Sequence, residues 1–231
     1  MPLKLGYWRS RGVTHPIRQL LHITGQEFED ITWGSLPEWE AIKSGLFKGG
    51  ENSPFANCPF LIDGDFVLTE SGAIPYYICH KTGRADLLGK ELKDQARVRQ
   101  IEGVAKDIWS GVVPLIFANG EGAADQVKEA VKEGSKTHGL IKKLSDFLGE
   151  KEFFVGYLTY ADLLATHIIL LVRQCTLNLG AGDSFLAHNN GNLLALAKRV
   201  HSLEELATFE LNHPYFPDGW MTWFKQHPFP E

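Results

Sequence analysis

An α/β domain followed by an all-helical domain is the fold class this chain predicts, and three observations carry the prediction. The hydrophobic period switches repeatedly between strand-like and helix-like spacing up to Gly83. Beyond that point the strand signals stop, and every periodic segment has the three- and four-residue spacing of a helix. A polar stretch, 84–93, separates the two regimes and reads as a linker. The domains expected are therefore 1–83, the linker 84–93, and 94–231.

Each element has a local reason. Residues 3–8 read as a strand, and 16–24 as a helix with proline in its first turn and Gly25 after its end. Residues 28–32 form a second short strand and 37–44 a short helix, followed by a Gly- and Pro-bearing loop over 45–54. The segments 59–62 and 66–69 flank Asp63-Gly64-Asp65, the pattern of a β-hairpin. Ser71 then stands as the cap of a helix running to Lys81. The order is βαβ, a short helix, then ββα, which is the thioredoxin-like arrangement. In the second domain helices are predicted over 96–117, 124–148, 160–176, 192–200 and 203–211. Thr159 with Asp162 three residues on resembles a capping box.

Composition narrows the function classes. With 44% apolar and 22% charged residues, the 231-residue chain can bury a sizeable core, which excludes collagen, coiled coil and disorder. Lys+Arg 23 against Asp+Glu 28 gives a net charge of −5, so neither nucleic acid nor a membrane surface is an expected partner. The opening residues have no signal-peptide core, and no stretch approaches the roughly 18 apolar residues of a membrane span, so a cytoplasmic location is expected. Cys58, Cys79 and Cys175 stand far apart without a Cys-x-x-Cys pair, and the nine histidines have no ligand spacing. No disulfide framework and no metal is expected.

The usual place for a reactive dithiol in such a fold is the end of the first strand, and no cysteine precedes Cys58. Tyr7-Trp8-Arg9-Ser10-Arg11-Gly12 occupies that place. A phenol at the C-terminal end of a strand can donate a hydrogen bond to a thiolate brought by a ligand and so lower its pKa; equally, Tyr7 and Trp8 can be strand aromatics packing on the sheet. Asn57-Cys58-Pro59 is a candidate cis X-Pro bond that would expose the main-chain groups of Cys58 to a peptide-like ligand, against the alternative of an ordinary trans turn. Glu70 and Ser71 at a strand-to-helix junction suit an ammonium and a carboxylate, the free amino-acid end of a ligand, or else simply start the helix. Trp39 and Lys43, four apart on the short helix, offer an indole N–H and an ammonium to a second carboxylate, or lie on the surface.

Gly6-Tyr7-Trp8-x-x-Arg11-Gly12 with His15-Pro16-Ile17-Arg18-x-Leu20-Leu21, then Pro59-Phe60-Leu61-Ile62-Asp63-Gly64, Glu70-Ser71-x-Ala73-Ile74 and Gly156-x-x-Thr159-x-x-Asp162 follow one another over nearly the whole chain. In order and approximate spacing this set resembles the cytosolic glutathione S-transferase family, tyrosine-type, most like the mu class with sigma-like features. The resemblance implies a homodimeric, cytoplasmic detoxification enzyme that uses glutathione as co-substrate, without a metal, and conjugates its thiolate to soft hydrophobic electrophiles. It implies Tyr7 as the catalytic residue, with Trp8, Trp39, Lys43, Lys48, Asn57, Cys58, Pro59, Glu70, Ser71 and Asp107 binding glutathione, Asp107 from the other subunit. Val13, Trp109, Val113, Leu115 and Phe209 would line the electrophile pocket together with Trp8, and the aromatic tail of Trp220, Trp223 and Phe224 would join them. Phe55 matches the aromatic that mu-like enzymes insert into the partner subunit. Three departures bear on the class: a long stretch between Lys43 and Asn57, Glu70 where mu enzymes have glutamine, and Cys58 where an aliphatic residue is usual. The resemblance leaves two other readings open: a binding or scaffold protein of the same fold without turnover, and a glutathione-dependent isomerase of the prostaglandin-synthase type.

Overall fold

The computed structural model describes residues 2–48, 54–116, 122–178, 190–206 and 209, with the backbone alone at 113–116, 123, 124 and 178. Two compact units emerge: one of residues up to Ala85 together with the described residues beyond Leu203, the other Asp86–Leu203.

The first unit runs β1 (Leu3–Trp8), α1 (His15–Ile23), β2 (Phe28–Trp33), α2 (Leu36–Leu46), β3 (Phe60–Asp63), β4 (Phe66–Thr69) and α3 (Ala73–Lys81). The sheet order is β2-β1-β3-β4, with β1 parallel to β2 and antiparallel to β3, and β4 antiparallel to β3. This is the thioredoxin-like topology the element order predicts. Helices α1 and α3 pack on each other and bury Ile17, Leu20, Leu21, Ile74 and Ile78. A second cluster gathers Trp33, Trp39, Phe47, Phe60 and Val67, with Trp8, Ile31 and Cys58 packed against it. Burying each large apolar side chain contributes roughly 1.5–3 kcal/mol, so this cluster is a main anchor of α2. Gly6 makes the cluster possible, because a Cβ there would lie 2.0 Å from the Phe60 ring. The hairpin turn is pinned to α3: the Tyr77 hydroxyl donates to Asp63 at 2.6 Å, and Lys81 pairs with the same carboxylate at 2.6 Å.

Two boundaries differ from the sequence reading. Strand β2 continues to Trp33, because Ile31 and Trp33 extend the inward-facing alternation. Helix α3 begins at Ala73 behind Gly72, with no side-chain cap hydrogen bond, so the reading of Ser71 as the cap is corrected.

The second unit holds α4 (Leu92–Ile116), α5 (Ala123–Val131), α6 (Lys136–Leu148), α7 (Tyr160–Asn178) and α8 (Gly191–His201). The single helix predicted over 124–148 is two: Gly134 adopts φ +85°, and Ser135 caps α6 by accepting the His138 N–H at 3.1 Å. Apolar residues continue on both sides of the break, which is why periodicity alone runs through it. Helix α4 starts inside the stretch read as linker, after a 3-10 turn over Ala85–Leu88. Nearly the whole length of α7 is buried, as its apolar residues on all sides require. Its start is tied by Asp162, which accepts from the Thr159 N–H and hydroxyl, each at 2.8 Å, and from the Phe154 N–H at 2.9 Å. Burial pushes the Asp162 carboxyl up to about 6, the three donated hydrogen bonds opposing. Of the helix predicted over 203–211, only 203–206 and 209 are described.

Candidate functional site

The parallel register of β1 and β2 pairs Tyr7 with Thr32 and Trp8 with Trp33, at the C-terminal ends of both strands. The chain then turns, Arg9 donating its N–H to the Trp33 carbonyl at 2.7 Å, and a 3-10 turn over Gly12–Thr14 leads into α1. Gly12 sits at φ +42°, and a Cβ on it would lie 2.4 Å from Cε1 and 2.6 Å from the hydroxyl of Tyr7. Only glycine meets both the dihedral and the contact. The Val13 N–H donates to the Tyr7 hydroxyl oxygen. Burial pushes the Tyr7 phenol up to about 12; the neighbouring Cys58 adds to the rise, and the Val13 amide and the Arg18 guanidinium oppose it. A phenol held so high is protonated at neutral pH, so it is a hydrogen-bond donor to an anion and not a base.

The Cys58–Pro59 peptide bond is cis, as the fold context suggests. The expectation that both main-chain groups of Cys58 stand open is corrected, because its N–H donates to Asn57 Oδ1 at 2.9 Å. The sulfur is engaged too: burial pushes the thiol up, while a hydrogen bond from the Trp8 indole opposes. A raised pKa leaves Cys58 a thiol at neutral pH and a poor nucleophile.

At the junction between β4 and α3, Glu70 is exposed and adopts φ +78°. A side chain in that region costs on the order of 1–3 kcal/mol, a strain that concentrates at ligand-binding positions. The Glu70 carbonyl accepts from Ala73 and Ile74 at 3.0 and 3.1 Å, and Ser71 beside it is half-buried. On α2, the Trp39 ring lies against Trp33, centroids 5.1 Å apart and planes 16° from parallel, so its indole is a wall of the aromatic cluster. Lys43 is half-buried; Lys48 and Asn57 are exposed.

The other expected residues are spread over both units. Phe55 is 70% exposed. Val13 is half-buried on the turn into α1. In the second unit Asp107 is exposed on α4 and Trp109 half-buried. The side chains of Val113 and Leu115 lie outside the described residues, as do Trp220, Trp223 and Phe224. Phe209 is buried and stacked on His22 at 4.3 Å and on His15 at 5.5 Å, so its ring is packing against α1.

Trp33 and Asp30 escape the sequence reading, and Arg18 enters it only as a member of a motif, without a role. Trp33 is almost fully buried, and its indole N–H has no hydrogen-bond partner among the described residues; the continued alternation after Ile31 is the signal that points to it. Arg18 and Asp30 pair through Nε at 3.0 Å and Nη2 at 3.2 Å, and Arg18 Nη1 donates to the Ser10 carbonyl at 2.9 Å. Nothing in the local sequence marks that pairing.

A groove of about 520 Å³ lined by Pro2, Leu21, His22, Gly25 and Phe28 lies at the opposite strand ends from Tyr7. Among the described residues no group of three or more His, Cys, Asp or Glu is placed to hold a metal ion, and no helix is long and apolar enough to cross a membrane.

The end of β1 with Tyr7, the cis-proline loop before β3 and the junction after β4 lie at the same end of the sheet. The family model for the glutathione S-transferase N-terminal domain matches residues 3–80. Glutathione S-transferase Mu 4 of Mus musculus is 35% identical over 174 residues, 73% of this chain and 75% of the relative. Glutathione S-transferase class-mu 26 kDa isozyme 51 of Fasciola hepatica is 36% identical over 177 residues, 75% of each chain. Glutathione S-transferase Mu 2 of Macaca fascicularis is 30% identical over 222 residues, 94% of each. Among solved structures, rat hPGDS complexed with a quinoline matches with TM-score 0.74 at 25% identity, over 93% of this chain and 98% of that one. The glutathione S-transferase from Ascaris lumbricoides matches with TM-score 0.72 at 25% identity, over 94% and 100%. The identity is shared over both units, and the chain belongs to the glutathione S-transferase family, on its mu-like side.

Proposed function

We propose that glutathione conjugation by this chain runs through Tyr7, whose protonated hydroxyl donates a hydrogen bond to the bound thiolate. The observation that carries the reading is that both titratable groups at the end of β1 are held in their protonated forms beside the turn that seats Tyr7. The Tyr7 phenol is held up to about 12, so its proton is available to an anion, and the one protein thiol beside it is also held up. Of the thiols in such a site, the incoming one is the group that ionises. A hydrogen bond to its charged form lowers its pKa from an ordinary value of about 8.5. The thiolate then attacks a soft, hydrophobic electrophile, the carbon–sulfur bond forming as the leaving group departs, and the thiol proton passes to solvent. Rate comes from proximity and from the activated nucleophile.

The remaining residues hold the tripeptide. Trp39 and Lys43, with Lys48, take the glycyl carboxylate, and Trp8 and Asn57 supply further contacts to the tripeptide. The Cys58 main chain before Pro59 pairs with the cysteinyl unit once the Asn57 side chain yields the N–H it now accepts. Glu70 and Ser71 receive the γ-glutamyl end, Glu70 attracting the ammonium and Ser71 donating to the carboxylate, and the left-handed Glu70 backbone supports that assignment. Asp107 of the partner subunit completes it. The homodimer reading draws on Phe55, whose 70% exposure is unusual for a large aromatic and fits a ring that enters a second copy. The cellular setting is detoxification in the cytoplasm.

Calorimetric binding of glutathione, followed in the same sample by conjugation of a generic aryl halide, tests the reading. Binding with turnover that collapses in Tyr7→Phe is expected. Binding without turnover in the native protein would point to a carrier or a selective isomerase, and no binding would return the chain to a scaffold role. Phe55→Ser is expected to shift sedimentation from dimer towards monomer; an unaffected dimer would reject the aromatic as the key.

A further inference from the structure

Arg18 is an unusual residue for its position. It lies on α1, its side chain is wholly excluded from solvent, and burying a guanidinium is costly unless its donors are met. They are met by two segments that otherwise have no reason to share a partner. Nε and Nη2 form a two-point bond with the Asp30 carboxylate on β2, at 3.0 and 3.2 Å, and Nη1 donates to the Ser10 carbonyl at 2.9 Å. Ser10 belongs to the turn that delivers Gly12 against the Tyr7 ring and the Val13 N–H to the Tyr7 hydroxyl. The guanidinium thus grips the turn that seats the phenol, and Asp30 grips the guanidinium from the sheet. The fork geometry matters, since an ammonium cannot hold a carboxylate bidentately and a carbonyl at once in the same plane.

We propose that Arg18, oriented by Asp30, is a positioning residue for Tyr7: it fixes the Ser10–Val13 turn against the phenol and supplies a fixed positive charge that favours an anion at the Tyr7 hydroxyl. The inference rests on Tyr7 being the group that faces the glutathione thiolate. The charged and titratable neighbours felt at Tyr7 are Arg18 from α1, which favours the anion, and Cys58 from the segment before β3, which disfavours it. Asp30 partly neutralises Arg18, so removing each member of the pair has an opposite electrostatic consequence. Without Arg18 the potential at Tyr7 becomes less positive and the bound thiol harder to ionise. Without the Asp30 charge it becomes more positive and the thiol easier to ionise. A purely structural clamp would produce no such divergence.

The test is a pH titration of the glutathione thiolate bound to full-length protein, with kcat and KM at each pH, for Arg18→Gln, Arg18→Lys and Asp30→Asn. Arg18→Gln is expected to raise the bound-thiol pKa and cut kcat/KM at neutral pH by about threefold to tenfold, one pKa unit being a factor of about ten. Arg18→Lys keeps the charge and loses the fork, so its thiol pKa is expected near native while kcat falls with KM for glutathione little changed. Asp30→Asn is expected to move the thiol pKa down. Should Arg18→Gln fail to fold, the lysine and asparagine variants carry the same test. A pKa that stays put in all folded variants, or moves up in Asp30→Asn as it does in Arg18→Gln, overturns the proposal. Tyr7→Phe run alongside separates the two layers. If the pKa rises there but not in the Arg18 and Asp30 variants, the role of Arg18 is overturned and that of Tyr7 stands. If it fails to rise in Tyr7→Phe, the reading of the site itself is overturned, and the proposal with it.

Discussion

Arg18 in the α/β unit and Asp162 in the helical unit are the same kind of feature in two settings. Each is a charged side chain wholly excluded from solvent that ties a connecting segment to a helix: Arg18 holds Ser10 from α1, and Asp162 holds Phe154 and Thr159 from α7. Their surroundings separate them. Arg18 has a counter-charge in Asp30 and acts on a second titratable group, the phenol of Tyr7. Among the described residues the hydrogen bonds to the Asp162 side chain come from two backbone amides and a hydroxyl, the charge of Lys151 is felt without a bond between them, and burial dominates the titration of Asp162. A buried charge therefore says little by itself about function. What decides is whether a reacting group lies within its field, and the two positions can be told apart by the quantity each one changes.

Tyr7→Phe should have the largest effect, because it removes the donor on which the field of Arg18 acts: kcat/KM for conjugation is expected to fall by about 10²- to 10³-fold, the usual cost of one missing donor to a reacting anion. Steady-state kinetics will show it, and a loss below threefold would remove Tyr7 from the chemistry. Next, Asp162→Ala leaves the Phe154 and Thr159 amides unpaired in the interior and should cost about 3 kcal/mol of unfolding free energy in urea, with kcat of the folded fraction close to native. A large loss of kcat at unchanged stability would show that Asp162, like Arg18, acts on the reacting group.

Gly12→Ala probes the turn that Arg18 grips. Its Cβ would overlap Tyr7 at a left-handed φ, so about a tenfold loss of kcat/KM is expected with a modest loss of stability, and native kinetics would show that the turn has room to spare. The smallest effect is the pH dependence of Asp162. Its folded pKa, about 6, lies above the ordinary 3.8, so the native state binds the proton more tightly than the unfolded chain. The resulting stability is complete below the ordinary value and is lost as pH rises through the folded one. Relative to Asp162→Asn, the native protein should therefore weaken between pH 4 and pH 6; a gain over that window would mean that the three hydrogen bonds outweigh burial.

What was legible in the sequence follows the range of the forces involved. The hairpin at Asp63-Gly64 and the helix with Pro16 in its first turn depend on neighbours a few residues apart, and both are found as expected. Tyr7, Cys58 and Glu70 could be singled out as candidates because each stands at the end of a local element where ligands bind in such folds. The break between α5 and α6 was hidden because the apolar spacing runs through it: the chain leaves the helix at Lys132, which is extended, and turns through the left-handed Gly134 before Ser135 caps α6. Ser71 looked like a cap by residue type, yet the helix starts two residues later. The grip of Arg18 on Ser10 and Asp30 was out of reach for a different reason. An arginine on a helix reads as surface until the sheet is assembled, and its partners are 8 and 12 residues away on other elements.

The central claim is that the Tyr7 hydroxyl stabilises the glutathione thiolate. Ultraviolet absorbance of the thiolate in the binary complex, followed against pH for the native protein and Tyr7→Phe, tests it most directly. The account predicts a bound-thiol pKa well below the ordinary value of about 8.5 in the native protein and a return towards that value in the variant. The same lowered pKa in both proteins would contradict it.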